Sequence, residues 1–167
     1  MPGVSLTPEK KLKIARKLDD LGVNVIEAGF AAASPGEMEA ITLISKENLK
    51  AEICSFARGV KKDIDAVAES GADSVFLVIP SSDLHIRHKL RKTRNEILDL
   101  TSRSIRYAKD LGLIVEFGLE DSTRADVEFI KKMISEAVSA GADRVTPCDT
   151  VGVLTPERAY EFYSELR

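Results

Sequence analysis

Glu116 and Glu120 stand four residues apart in an apolar run, with Gly118 midway between them. Side chains alternate along an extended strand, so both glutamates and the glycine share one face. Carboxylates arranged this way suit proton transfer, ligand binding or ion pairing, and an inward one is costly to bury without a partner. Gly118 omits a side chain where something else needs room. Arg144 opens a later run in the same phase, which makes an ion pair with Glu116 the structural reading there. Glu120 ends its run nearer solvent, where a catalytic or ligand role competes with a structural pair to Arg124. Glu27 ends the first run and is either a site carboxylate or a loop anchor. After the last run, Thr150 has a hydroxyl to donate to a carboxylate ligand, unless Asp149 and Thr150 simply cap a turn. His85 and His88 fall in a basic stretch that continues to Lys92, which reads as a solvated face before it reads as a phosphate site. No glycine-rich phosphate loop, Gly-x-Ser-x-Gly elbow, His-x-His pair or His-Glu-x-x-His motif occurs, so no metal ligand is assigned.

The elements that position these residues repeat one pattern: amphipathic helix, short break, short apolar run. The breaks are at Gly22, Lys50, Gly71, Gly112 and Gly141, and four of the five use the residue that ends helices most cheaply. The runs cover 23–30, 51–57, 74–80, 113–119 and 144–148. Thr7-Pro8 and Thr155-Pro156 mark helix starts, and Leu12, Ala15, Leu18 and Leu21 form the apolar face of the first helix. Alternating helices and strands imply right-handed crossovers and a parallel sheet, with five strands and six helices in a single domain over residues 1–167. Phase chooses the architecture. Leu113, Val115, Phe117 and Leu119 share one face, as do Val75, Leu77 and Ile79; the opposite faces carry Glu116, Gly118 and Glu120, and Ser74, Phe76 and Val78. A doubly wound sheet is apolar on both faces, whereas a barrel tolerates polar layers inside. The expectation is a partial (β/α)8 TIM barrel, five strands where a complete one has eight.

With 24 Lys+Arg against 27 Asp+Glu, the net charge of −3 gives no general attraction to nucleic acid or to an anionic membrane. Tryptophan is absent and aromatics make up 5% of the chain, which argues against a stacking surface for single strands. No apolar run approaches the roughly 20 residues of a spanning helix, and no signal peptide opens the chain. Cys54 and Cys148 have no near cysteine partner and read as reduced thiols of a cytoplasmic protein.

Four segments carry a family resemblance: Pro2-Gly3-Val4-Ser5-Leu6-Thr7-Pro8, Val25-Ile26-Glu27-Ala28-Gly29-Phe30, Glu120-Asp121-Ser122-Thr123-Arg124 and Cys148-Asp149-Thr150-Val151-Gly152. In this order they resemble the 2-isopropylmalate, citramalate and homocitrate synthases, metal-dependent acyltransferases on TIM barrels, with the archaeal isopropylmalate and citramalate branch nearest. The resemblance implies a Claisen-type condensation of acetyl-CoA with a small 2-oxo acid, 2-oxoisovalerate or pyruvate, in leucine or isoleucine biosynthesis. It places Glu120 at the family's active-site glutamate, near the reacting acetyl group, and Thr150 at the threonine that binds the oxo acid's carboxylate. Phe76, Glu116 and Gly118 fall at inward substrate positions that vary with specificity. Phe76 stands where a histidine is frequent and Gly118 where a serine is frequent. The resemblance also implies that this chain holds family strands two to six. The Asp-x-Thr-Leu-Arg-Asp-Gly-Glu-Gln segment of strand one, the His-x-His pair of strand seven, and strand eight fall outside it. The ligands of the divalent metal would therefore lie outside as well. Two readings follow: the central part of an acyltransferase, or a truncated non-catalytic scaffold. In either case open barrel edges are expected to associate, as a homo-oligomer or otherwise.

Overall fold

In the computed structural model, which describes residues 6–166, the helices begin where a side chain can replace a missing backbone partner, except α3 (Lys61–Ser70), whose cap position Val60 offers none. Thr7 accepts from Lys10 N ahead of α1 (Pro8–Leu21), and Thr155 accepts from Arg158 N ahead of α7 (Pro156–Glu165), each with proline in the first turn. Residues 2–5 of the first family motif lie outside the described residues. Gly22 closes α1 in the left-handed conformation, at φ 86°, which a side chain would strain. Leu12 and Ala15 of the expected α1 face are buried. Leu21, at the last position of the helix, is instead 78% exposed.

The strands are β1 (Val25–Gly29), β2 (Glu52–Arg58), β3 (Ser74–Pro80), β4 (Ile114–Glu120) and β5 (Arg144–Pro147). They form one parallel sheet in the order β1-β2-β3-β4-β5. Between them run α2 (Pro35–Ser45), α3 (Lys61–Ser70), α5 (Arg94–Asp110) and α6 (Val127–Ala140). The six long helices match the expectation. The sequence reading did not foresee a seventh, one-turn helix α4 (Asp83–His85), which continues into a π-turn (Ile86–Leu90).

Strand phase divides the sheet as expected. Val75, Leu77, Ile79, Val115, Phe117 and Leu119 are all at most 1% exposed, packed beneath the helices. The other face carries Glu52, Cys54 and Phe56 of β2, Phe76 of β3, Glu116 and Gly118 of β4, and Arg144 and Thr146 of β5. Register sets Phe76 beside Glu116, Glu116 beside Arg144, and Gly118 between Val78 and Thr146. A register shift between Glu27 and Gly29 bends the end of β1. Successive parallel strands with helices on one face, and charged groups on the other, are the layout of a partial (β/α) barrel.

Candidate active site

Function in such folds collects at the carboxyl ends of the strands. Here the ends of β3, β4 and β5 are tied together by side chains. Ser81 donates through both N and Oγ to the Glu120 carbonyl, at 2.9 and 2.8 Å. Ser122 N reaches the Cys148 carbonyl at 3.1 Å. Asp121 is the hub. It is fully buried with a left-handed backbone at φ 65°. Its carboxylate accepts from Ser82 Oγ at 2.5 Å and Arg124 Nε at 2.7 Å, while its own N–H donates to Thr150 Oγ1 at 2.8 Å. Burial pushes the Asp121 carboxyl up, but those bonds outweigh it and hold the group below the usual carboxylate range.

This hub settles several sequence expectations. Arg124 belongs to Asp121, so the pair between Glu120 and Arg124 does not form. Glu120, with 18% of its side chain exposed, is instead gripped by Lys89, whose Nζ lies 2.8 and 2.7 Å from its two oxygens. His85 Nδ1 lies 3.0 Å from Glu120 Oε1 but out of line for a hydrogen bond. The basic stretch is therefore not one solvated face: Arg87 and His88 are exposed, while His85 and Lys89 turn towards the end of β4. Asp149 is a turn cap, accepting from Leu154 N, Thr123 Oγ1 and Val153 N at 2.9, 3.0 and 3.2 Å, and these bonds help lower its carboxyl. Thr150 is exposed, and since its oxygen accepts from Asp121, its own proton is left to donate.

Deeper on the same face, Arg144 pairs with Glu116 as expected, at 3.3 Å, and Thr146 Oγ1 gives that carboxylate a second bond of 2.7 Å. Arg144 also grips both oxygens of Glu52, a residue that the sequence reading missed although it shares the phase of Cys54 and Phe56. The Arg144 hydrogen bond lowers the Glu52 carboxyl, while Arg144 itself is raised. Among the described residues Glu27 has no such partner: surrounding protein pushes its carboxyl up, and the charge of Glu116 pushes the same way. An apolar strip crosses this face, Phe30 to Phe56 to Phe76, with edge-on rings 5.0 and 6.4 Å apart. Phe76 and Gly118 are not independent. A Cβ on Gly118 would sit 2.7 Å from Phe76 Cε2 and 2.9 Å from Val78 Cγ2, so the glycine exists to admit that ring. Cys54 is buried and Cys148 half-buried, and both are unpaired thiols.

Among the described residues, no group of three or more His, Cys, Asp or Glu could hold a metal ion. No described helix is long and apolar enough to cross a membrane.

A parallel sheet with helices on one face and a cross-linked rim at its carboxyl ends defines a segment of a (β/α) barrel. A family model described as HMGL-like matches residues 1–167, and the chain belongs to that family. It is 56% identical to an (R)-citramalate synthase and 50% identical to a 2-isopropylmalate synthase, both of Methanocaldococcus jannaschii. Each alignment takes in 99% of this chain but 34% and 32% of those proteins, so the chain spans about a third of the length of these curated relatives. The HMG-CoA lyase of Bacillus subtilis shares the fold, with a TM-score of 0.83 at 16% identity over 98% of this chain and 58% of that one.

Proposed function

We propose that this chain supplies the central strands of an acyltransferase that condenses acetyl-CoA with a small 2-oxo acid, 2-oxoisovalerate or pyruvate, in branched-chain amino-acid biosynthesis. One observation carries the reading: β4 and β5 deliver Glu120 and Thr150 to the same rim, joined through the backbone of Asp121. Relatives named citramalate synthase and 2-isopropylmalate synthase support it.

In this reading the acetyl methyl loses a proton, the resulting enolate carbon bonds to the ketone carbon of the oxo acid, and water then cleaves the thioester to free CoA. Glu120 stands at the acetyl group. Lys89 occupies one site on each of its oxygens, and a carboxylate has about four acceptor sites, so an oxygen remains able to take a proton. Thr150 donates its free hydroxyl proton to the carboxylate of the oxo acid. Phe76, lying over Gly118, gives the pocket an apolar wall. Glu116 is already paired, so it is not a free charge repelling a second substrate carboxylate, and the preference for an apolar oxo acid rests on the Phe76 wall instead. The resemblance implies a divalent metal whose ligands would come from segments outside this chain; among the described residues no group of three or more His, Cys, Asp or Glu could hold one.

The test is CoA-thiol release from acetyl-CoA with pyruvate, 2-oxoisovalerate or 2-oxoglutarate, using the protein together with every segment that accompanies it in its cells. Release that depends on an oxo acid and disappears in Glu120→Gln supports the reading. Absence of release with all three acids would leave the non-catalytic scaffold.

A further inference from the structure

Lys89 and His85 reach Glu120 from an unusual piece of backbone. After β3, Ser82 caps the single turn α4 by accepting from His85 N, and the chain then widens into the π-turn Ile86–Leu90. The turn closes on Arg91, a non-glycine residue with φ 54°, whose N–H returns to the Ile86 carbonyl. Directly across the rim, Asp121 is also left-handed without being glycine. π-turns and such backbone strain cost free energy and recur where a side chain must be aimed. What is aimed here is Lys89. Its ammonium contacts both oxygens of a carboxylate 31 residues away, although the lysine side chain is 53% exposed and had solvent available. His85 backs the same carboxylate. Its Nδ1 is buried, 3.0 Å from Glu120 Oε1 and without a hydrogen-bond partner, while Nε2 lies 3.8 Å from Asp121 Oδ2.

We propose that Lys89, presented by the π-turn after β3 and backed by His85, is the positioning residue that fixes the direction of the Glu120 carboxylate at the rim. The proposal rests on the reading of Glu120 as the carboxylate at the acetyl group. Both Glu120 oxygens are held by one ammonium, so rotation about the last side-chain bond is arrested and the unoccupied acceptor sites keep one direction. A half-exposed ion pair contributes little stability, so the geometry is better explained by aiming than by folding.

The experiment compares Lys89→Met, Lys89→Arg and Glu120→Gln by steady-state CoA release in the protein with all its natural segments. Misplacing a reacting group by about 1 Å costs on the order of a hundredfold in rate. Lys89→Met is expected to lower kcat about a hundredfold with KM for acetyl-CoA and oxo acid within about twofold. Lys89→Arg, which keeps a charged two-point contact, is expected to recover kcat to within about tenfold of the parent. Three results would overturn the proposal: unchanged kcat in Lys89→Met beside an inactive Glu120→Gln, a rise confined to the KM for acetyl-CoA, which would make Lys89 an anion-binding residue, or a Lys89→Met chain that no longer folds, which would make the pair structural. If Glu120→Gln keeps full activity, it is the reading of Glu120 that fails, and the positioning role falls with it.

Discussion

Replacing Gly118 with alanine tests whether the pocket wall is one unit or two. The new methyl would lie 2.7 and 2.8 Å from Phe76 Cε2 and Cζ and 2.9 Å from Val78 Cγ2, all closer than carbon atoms tolerate. Overpacking of this kind costs about 1–3 kcal/mol. Against it stands the gain from removing a glycine from a strand, about 0.5–1 kcal/mol. The clash wins, and Gly118→Ala should lose about 1–2 kcal/mol. Phe76→Leu removes the two ring atoms that clash, leaving only the Val78 contact. In that background the same glycine substitution should cost less than about 0.5 kcal/mol, a coupling near 1 kcal/mol between the two sites. The four proteins of the cycle are compared by urea unfolding, with the slope checked so that a shift in midpoint reports stability. Additive effects of the two changes, or a Gly118→Ala chain as stable as the parent, would mean that the Phe76 ring does not lie over Gly118, and the proposed apolar wall would go with it.

Arg144→Met leaves Glu52 and Glu116 facing each other's charge. Breaking a buried pair costs about 3–5 kcal/mol, and with 18% and 22% of these two side chains exposed about 2 kcal/mol is expected by urea unfolding. The Glu52 carboxyl is lowered in the fold, so its stabilisation is complete above the ordinary glutamate value near 4.5 and is lost as pH falls through the lowered one; the parent should weaken with acid in that window more than Glu52→Gln does. Glu27 has the opposite sign. Its carboxyl is raised, so the charged form weakens the fold at neutral pH, and Glu27→Gln should gain a few tenths of a kcal/mol at pH 7 and nothing below about 4.5. Burial pushes the Cys54 thiol up to about 11, so iodoacetamide at pH 8 should modify it only on unfolding, as read by mass spectrometry. Residues 1–167 expressed alone should sediment as more than a monomer, because β1 and β5 are edge strands among the described residues; a monomer at micromolar concentration would contradict this.

Local rules made the scaffold legible. Thr-Pro pairs start α1 and α7, and the alternation in residues 113–120 separates helix-facing aliphatics from inward glutamates, because both signals depend only on neighbouring residues. The partnership of Glu116 and Arg144 was also readable, since strand phase and adjacency suffice. What was not readable is which cation meets Glu120. Sequence proximity offered Arg124, but the left-handed turn at Asp121 takes Arg124 away, and a π-turn with no sequence signature brings Lys89 in from after β3. Pairing across a rim is decided by loop backbone, which hydropathy does not encode. Glu52 was legible and overlooked: its phase with Cys54 and Phe56 put it on the inner face from the start.

The reach of Arg144 is evidence about the sheet itself. It sits on β5 and contacts Glu52 on β2, three strands away. Neighbouring strands lie about 4.8 Å apart, so on a flat sheet the two chains would be separated by about 14 Å with both side chains standing upright. Their tips meet because the sheet curls towards this face. The charge cluster therefore forms where a closing barrel narrows, and it ties β2, β4 and β5 together at the amino ends of the strands, while Asp121 ties β3, β4 and β5 at the carboxyl ends. A sheet pinned at both ends holds its curl between them, on the stretch where Phe76 and Gly118 shape the wall. Carboxylates that look catalytic by type thus divide by position: Glu52 and Glu116 belong to the lower fastening and Asp121 to the upper one, while among the described residues the Glu120 carboxylate joins neither and meets Lys89 and His85 instead.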